Sequence, residues 1–132
     1  MGFLPASGTC PCGSGESFSR CCLAVHRGER PAGTAEELMR ARYSAYAVGD
    51  LDYVWQSWHP RTRPAELAPN GELTWIGLEI VDTVAGRPEN QSGEVEFRAH
   101  FRDAAGNGTL HERSRFSVRA RRWLYVDGEL FD

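Results

Sequence analysis

An α+β domain behind a cysteine-rich front is the architecture this sequence predicts. Three observations carry that expectation. A capped amphipathic helix opens at Thr34, the apolar period changes from helical to alternating after Glu72, and turn signals divide the remainder into four strands. Helices first and an antiparallel sheet afterwards place the helices over one face of the sheet.

The elements follow in order. Residues 1–30 are rich in Gly, Ser, Cys and Pro and hold no sustained helical or strand period, so this segment needs something other than its own core to order it. The run Arg27 to Gly33 reads as a linker. Thr34 and Glu37 form a capping box, each side chain able to satisfy an amide at the helix start. Leu38, Ala41, Ala45 and Val48 recur at helical spacing, and Gly49 stops the helix. Asp50 caps a second, short helix with Leu51, Val54, Trp55 and Trp58 on its apolar face and Pro60 at its end. Residues 61–72 read as a loop with one helical turn near Pro64 to Leu67. Strands are expected near 73–84, 93–103, 109–120 and 122–130, the last three as an antiparallel meander. Their turns are expected at Gly86 to Gly93, Asn107–Gly108 and Arg121–Arg122.

Length and composition bound the function. A chain of 132 residues makes one domain of ordinary globular composition, 41% hydrophobic and 25% charged. All 15 basic residues are arginine, and the net charge of −3 argues against general affinity for DNA or anionic membrane. No run approaches the ~18 apolar residues of a membrane span. The first nine residues lack a basic n-region and an apolar h-region, so a cytoplasmic location is expected, where cysteines bind metal more readily than they pair. No P-loop, Rossmann glycine pattern, serine nucleophile elbow or His-Glu-x-x-His occurs.

The strongest chemical signal is Cys10-Pro11-Cys12-Gly13-Ser14-Gly15-Glu16-Ser17-Phe18-Ser19-Arg20-Cys21-Cys22. Four soft thiolates so close in sequence suit one tetrahedral metal site, zinc or less often iron. Pro11 stiffens the turn between the first two ligands. Gly13 and Gly15 let the backbone fold back and aim amides at the sulfurs, and Phe18 packs over the turn. Cys21 and Cys22 are expected at the end of a short helical turn. His26 is an alternative ligand, although a linker histidine is more often exposed to solvent.

This string resembles the SEC-C motif, the metal-binding tail of the bacterial preprotein translocase ATPase. The matches are Cys10, Pro11, Cys12, Gly13, Ser14, Gly15, Phe18, Cys21 and Cys22. The rest of the chain is similar to the YchJ family of uncharacterised bacterial proteins. That similarity lies in Leu38 to Tyr43, Trp58-His59-Pro60, Trp75 to Leu78, Glu112 to Phe116 and Trp123 to Gly128. The resemblance implies an NTF2-like cone over residues 31–132, a curved antiparallel sheet packed on helices, joined to a SEC-C zinc knuckle and linker over 1–30. It also implies a protein or ribosome contact through the knuckle. The lysines that surround the translocase ligands are replaced here by Glu16, Ser17, Ser19 and Arg20.

In such a cone the inward face of the sheet decides what a pocket can do. Leu110, Phe116, Val118 and Ala120 share a parity on the third strand, and Glu112 and Ser114 share it with them. Glu112 has two readings: a buried pair with Arg42 or a strand-borne arginine, or a pocket carboxylate acting as general base. His59 either caps carbonyls at the helix end or shuttles protons at the pocket mouth. Trp58, Trp75, Trp123 and Tyr125 are candidate walls, although residues of this kind are more often core than ligand-stacking. Arg98, Arg102, Arg113, Arg115 and Arg119 lie on the outward parity, where a solvated face is expected. The favoured function is a non-enzymatic binding module or adaptor. The alternative is a small-molecule binder or acid–base enzyme with its pocket around Glu112, Arg42 and His59.

Overall fold

The computed structural model describes residues 8–67 and 73–131. Its elements are α1 (Cys22–His26), α2 (Ala35–Val48), α3 (Leu51–Gln56), β1 (Thr74–Ala85), β2 (Ser92–Asp103), β3 (Gly106–Arg119) and β4 (Arg122–Phe131). The four strands form one antiparallel sheet in the order β1-β2-β3-β4, so the meander takes in all of them.

The α2 caps are those the sequence predicts. Thr34 Oγ1 accepts from the Glu37 amide at 3.0 Å, and the Glu37 carboxylate accepts from the Gly33 amide at 2.6 Å. Gly49 closes the helix at φ 82°, a left-handed conformation that only glycine adopts without strain. Asp50 Oδ1 accepts from the Tyr53 amide and starts α3. This helix ends at Gln56, short of Pro60, because the chain turns away to pair with Tyr125 of β4. The chain then runs along the free edge of β4. His59 N–H donates to the Tyr125 carbonyl at 2.7 Å, and Tyr125 N–H donates to the Ser57 carbonyl at 2.9 Å.

Three local expectations are corrected. No helical turn forms over 63–67, where Trp55 Nε1 donates to the Pro64 carbonyl instead; residues 68–72 of that loop lie outside the described residues. The β2–β3 turn falls on Ala104 and Ala105, ahead of Asn107–Gly108. Gly108 serves a different purpose: it pairs with Phe101, whose ring covers the space a Cβ would occupy. The β3–β4 turn is Ala120–Arg121, both at positive φ as a tight hairpin demands, so Ala120 leaves the strand.

The sheet curls toward the helices. Register shifts at Ile76 and Val81 in β1 and near Val126 in β4 add local twist where α2 crosses. Leu38, Met39 and Tyr43 of α2 pack on Val95, Phe97 and Ala99 of β2, Phe116 of β3 and Trp123 of β4. The N-terminus of α2 is pinned to the β1–β2 turn, where Ala35 N–H donates to the Gly86 carbonyl at 2.9 Å. Arg98, Arg113 and Arg115 sit on the outer face in ion pairs with Glu79, with Asp82, Glu94 and Glu96, and with Asp127. That is the solvated, charge-balanced surface expected of this parity.

Candidate metal centre and inner cavity

The knuckle is built by two glycines and one aromatic ring. Gly13 and Gly15 take φ of 83° and 86°, which turns the chain back so that Cys10 N–H donates to the Glu16 carbonyl at 2.9 Å. The Ser14 amide points at the Cys12 sulfur, and the Ser14 hydroxyl lies 3.2 Å from Cys21 Sγ. Phe18 is buried beneath the turn with Cys10, Cys12, Cys22, Val25 and Ala41. Cys21 and Cys22 lie at the end of a helical turn, where Cys21 N–H donates to the Ser17 carbonyl at 3.0 Å, and at the start of α1. The Phe18 carbonyl takes amides from Cys21 and Leu23, so the turn runs directly into the helix.

All four sulfurs lie within 4.8 Å of one another, with Cys12 to Cys21 at 3.7 Å and Cys21 to Cys22 at 3.9 Å. Four thiolates bound to zinc at ~2.3 Å stand about 3.8 Å apart along a tetrahedron's edges. The donor set and its spacing therefore fit one such ion. Metal-free, the sulfurs cannot all ionise together. Hydrogen bonds from Cys10 and Cys22 hold Cys12 far below the usual thiol range, whereas its own bonds to Cys10 and Cys12 push Cys22 far up. A bound cation removes that conflict.

The knuckle is seated on α2 by polar and apolar contacts. Arg40 Nη1 donates to the Cys12 carbonyl at 2.6 Å, Cys10 Sγ lies 3.5 Å from the buried Ser44 hydroxyl, and Arg30 Nη2 donates to the Cys21 carbonyl at 3.2 Å. His26 is neither a ligand nor exposed: its side chain is 2% accessible and Nε2 donates to the Ala41 carbonyl at 2.7 Å. The α1 helix turns this ring inward between Phe18 and Tyr53. Arg40 and Ser44, which the sequence reading overlooked, sit one helical turn apart on the face of α2 that carries Ala41, and that spacing was the available signal.

A second site lies on the other flank of α2. A cavity of ≈ 230 Å³ is lined by Met39, Arg42, Tyr43 and Tyr46 of α2, by Trp58, and by Trp75, Phe97, Ala99, Leu110, Glu112, Ser114 and Tyr125 of the sheet. Arg42, Trp58, Glu112 and Tyr125 of the predicted pocket therefore meet. Trp123 instead packs in the core, and His59 stands outside, its Nδ1 accepting from the Arg61 amide at 3.1 Å. Both displacements follow from β4 register: the Trp58–Tyr125 bridge carries His59 past the sheet edge, and Trp123 pairs with Val118 at the far end of β3.

Glu112 and Arg42 do not form the direct pair that was expected. Ser114 Oγ and Tyr125 Oη donate to Glu112 Oε2 at 2.6 and 3.0 Å. The Arg42 guanidinium donates to the Val54 carbonyl and Ser57 Oγ and lies 4.5 Å from the Tyr125 ring centre and 5.1 Å from that of Trp58. Tyr125 thus mediates between the two charges. Burial, then the neighbouring carboxylate, pushes its phenol well above the usual range. Burial also lowers the Arg42 pKa and raises that of Tyr46. Tyr46, Tyr43 and Met39 belong to the same helical face as Arg42, a stripe visible in the sequence.

Fold and site together define an NTF2-like domain fronted by a SEC-C motif. The model for the SEC-C motif matches residues 9–24, and that for the YchJ middle NTF2-like domain matches residues 34–128. The chain belongs to the UPF0225, YchJ-like family. A UPF0225 protein of Streptomyces coelicolor is 49% identical over 123 residues, covering 93% of this chain and 96% of its own. A UPF0225 protein of Deinococcus radiodurans is 45% identical over 126 residues, covering 95% and 92%. The solution structure of a SEC-C motif containing protein from Rhodopseudomonas palustris superposes with a TM-score of 0.81 at 32% identity, over 93% of this chain and 98% of that one. A crystal structure of another from Psychrobacter arcticus gives 0.78 at 27% identity, over 96% and 85%. Among the described residues, no helix is long and apolar enough to cross a membrane.

Proposed function

We propose that Cys10, Cys12, Cys21 and Cys22 hold one structural zinc ion and that the protein is a non-enzymatic binding module built on that staple. The sulfur arrangement carries this reading: four thiols within 4.8 Å, three of them buried, fill a tetrahedral shell and leave no coordination position for a substrate. Zinc suits a closed Cys₄ set better than iron because it needs no redox management, and the reducing cytosol keeps the thiols available. Bound there, zinc supplies charge neutralisation and roughly 10 kcal/mol of local folding free energy. Residues 1–30 then act as a stapled cap on the domain of 31–132.

The exposed rim of the cap, Gly13 to Glu16 with Ser19 and Arg20, is the surface a protein or ribosomal partner would meet. Its lack of lysine argues for a contact made by shape and backbone groups more than by charge. Metal analysis of protein purified without chelator, with a scan across the iron and zinc absorption edges, tests the first part. One zinc per chain is expected, and its loss in a Cys21→Ser, Cys22→Ser double variant. Iron, or a metal-free knuckle, overturns it. Retention of a partner by the wild type and its loss from the still-folded double variant supports the adaptor role. The absence of any specifically retained partner overturns that role.

A further inference from the structure

We propose that the cavity between α2 and the inner face of the sheet binds a small neutral ring compound carrying a hydroxyl or N–H donor, recognised by Glu112. The inference goes beyond the zinc staple and stands on the cavity alone.

Its walls are aromatic on opposite sides, with Tyr43, Tyr46 and Trp58 from the helical layer and Trp75 and Phe97 from the sheet. Planar rings stack well in such a slot. Its volume of ≈ 230 Å³ lies below the 300–1,000 Å³ or so of drug-sized pockets, which sets the occupant at a single ring with short substituents.

The polar groups are placed rather than scattered. Glu112 is held by Ser114 and Tyr125, both on Oε2; Oε1 has no hydrogen-bond donor among the described residues. The carboxylate lies across Gly128 of β4, where any Cβ would collide with it, so the strand is shaped to receive this side chain. A fixed carboxylate with one empty acceptor oxygen in an apolar cavity calls for a donor from the occupant.

Two further groups set the rest of the preference. Arg42 is only 4% exposed and, among the described residues, uses Nη1 alone in hydrogen bonds, leaving donors on Nε and Nη2. Trp58 Nε1 is buried with no partner among the described residues. These donors ask the occupant for an acceptor such as a carbonyl. Arg42 and Glu112 already balance in charge, so a net ionic ligand would bring an unpaired charge into the cavity.

The test is titration of the full chain by heteronuclear NMR with three single-ring probes. 4-Hydroxyacetophenone has donor and acceptor, acetophenone has the acceptor only, and 4-hydroxybenzoate adds a negative charge. The first is expected to give saturable shifts at lining residues with a millimolar Kd. The other two should bind at least about tenfold more weakly, the scale of one lost charge-assisted hydrogen bond. In Glu112→Gln, with an amide nitrogen facing the cavity, the tenfold preference for the hydroxyl should disappear. A Leu110→Trp variant, which fills the cavity from its rim, should abolish the shifts while the knuckle resonances stay unchanged. Equal binding of the three probes, preference for the anion, or no saturable binding by any of them overturns the proposal. Should Glu112→Gln fail to fold, the wild-type ranking of the probes and the Leu110→Trp result still decide it.

Discussion

Arg40 Nη1 donates to the Cys12 carbonyl at 2.6 Å, so a helix of the domain hydrogen-bonds the backbone of a proposed metal ligand 28 residues earlier. Glu36, one turn before it, accepts from Arg40 Nε at 3.0 Å and holds the guanidinium in that direction. The knuckle is therefore not a pendant tail. Arg40→Met keeps the stem packing and removes the donor, and it should cost about 1–2 kcal/mol. Thermal denaturation checks the stability. The rate of metal loss to a chelator checks the coupling, and faster loss than in the wild type is expected.

Ala41 of α2 has no exposed surface and packs against Phe18, Val25 and the knuckle cysteines. Ala41→Leu should overpack that contact and destabilise the protein by about 1–3 kcal/mol. Hydrogen exchange should show the damage first in α1 and the knuckle, with the sheet protected as in the wild type.

Removing the metal with a chelator should unfold the cap before the domain. Without a cation the crowded thiols share protons, and a small cluster around Phe18, Val25 and Ala41 with the Arg30 and Arg40 hydrogen bonds must hold the cap. Amide exchange is expected to rise over 9–26, while the β2 and β3 amides keep their protection. Uniform loss across the sheet would show that the staple governs the whole fold.

Gly128→Ala places a methyl group where the Glu112 carboxylate lies. The carboxylate must move, and its bonds to Ser114 and Tyr125 are lost with it. A destabilisation of about 1–3 kcal/mol follows. Urea denaturation measures it, and Glu112→Ala in the same background should restore part of the loss because the collision is removed.

His26 gives the protein a stability slope in mild acid. Burial lowers its pKa from 6.5, outweighing the Ala41 carbonyl and Asp50, and Nδ1 faces Asp50 Oδ2 at 3.9 Å without a hydrogen bond. The folded pKa lies below the unfolded one, so the unfolded chain binds more protons in between. The contribution is full above about pH 6.5 and is lost as pH falls toward the folded value. His59 is shifted down as well, by desolvation and then by Arg61 and Arg119, but it is more exposed. A His26→Gln variant should flatten the fall in Tm between pH 7 and pH 5 relative to the wild type. An unchanged slope would assign it to other groups.

Local signals proved readable where a single residue type fixes a local geometry. Thr34 with Glu37, Gly49 and Asp50 place the helix ends, and alternation places Glu112 and Ser114 on the inner face. Signals that depend on distant residues were misleading. Asn107–Gly108 looks like a hairpin tip, yet Gly108 is small to admit the Phe101 ring across the sheet, a demand made by a residue on another strand. His26 looks like a linker residue because nothing in its neighbourhood announces that α2 passes over it.

By itself the sequence determined the order of helices and strands, the cysteine cluster and the parity of the inner face. Each depends on residues within a few positions of one another, where capping, periodicity and ligand spacing act. Only the tertiary structure decided that the knuckle docks through Arg40 and Ser44, that Tyr125 stands between Glu112 and Arg42, and that Trp58 rather than His59 reaches the cavity. Those outcomes depend on how a curled sheet closes on α2, and the twist and strand register that set this closure are summed over the whole chain.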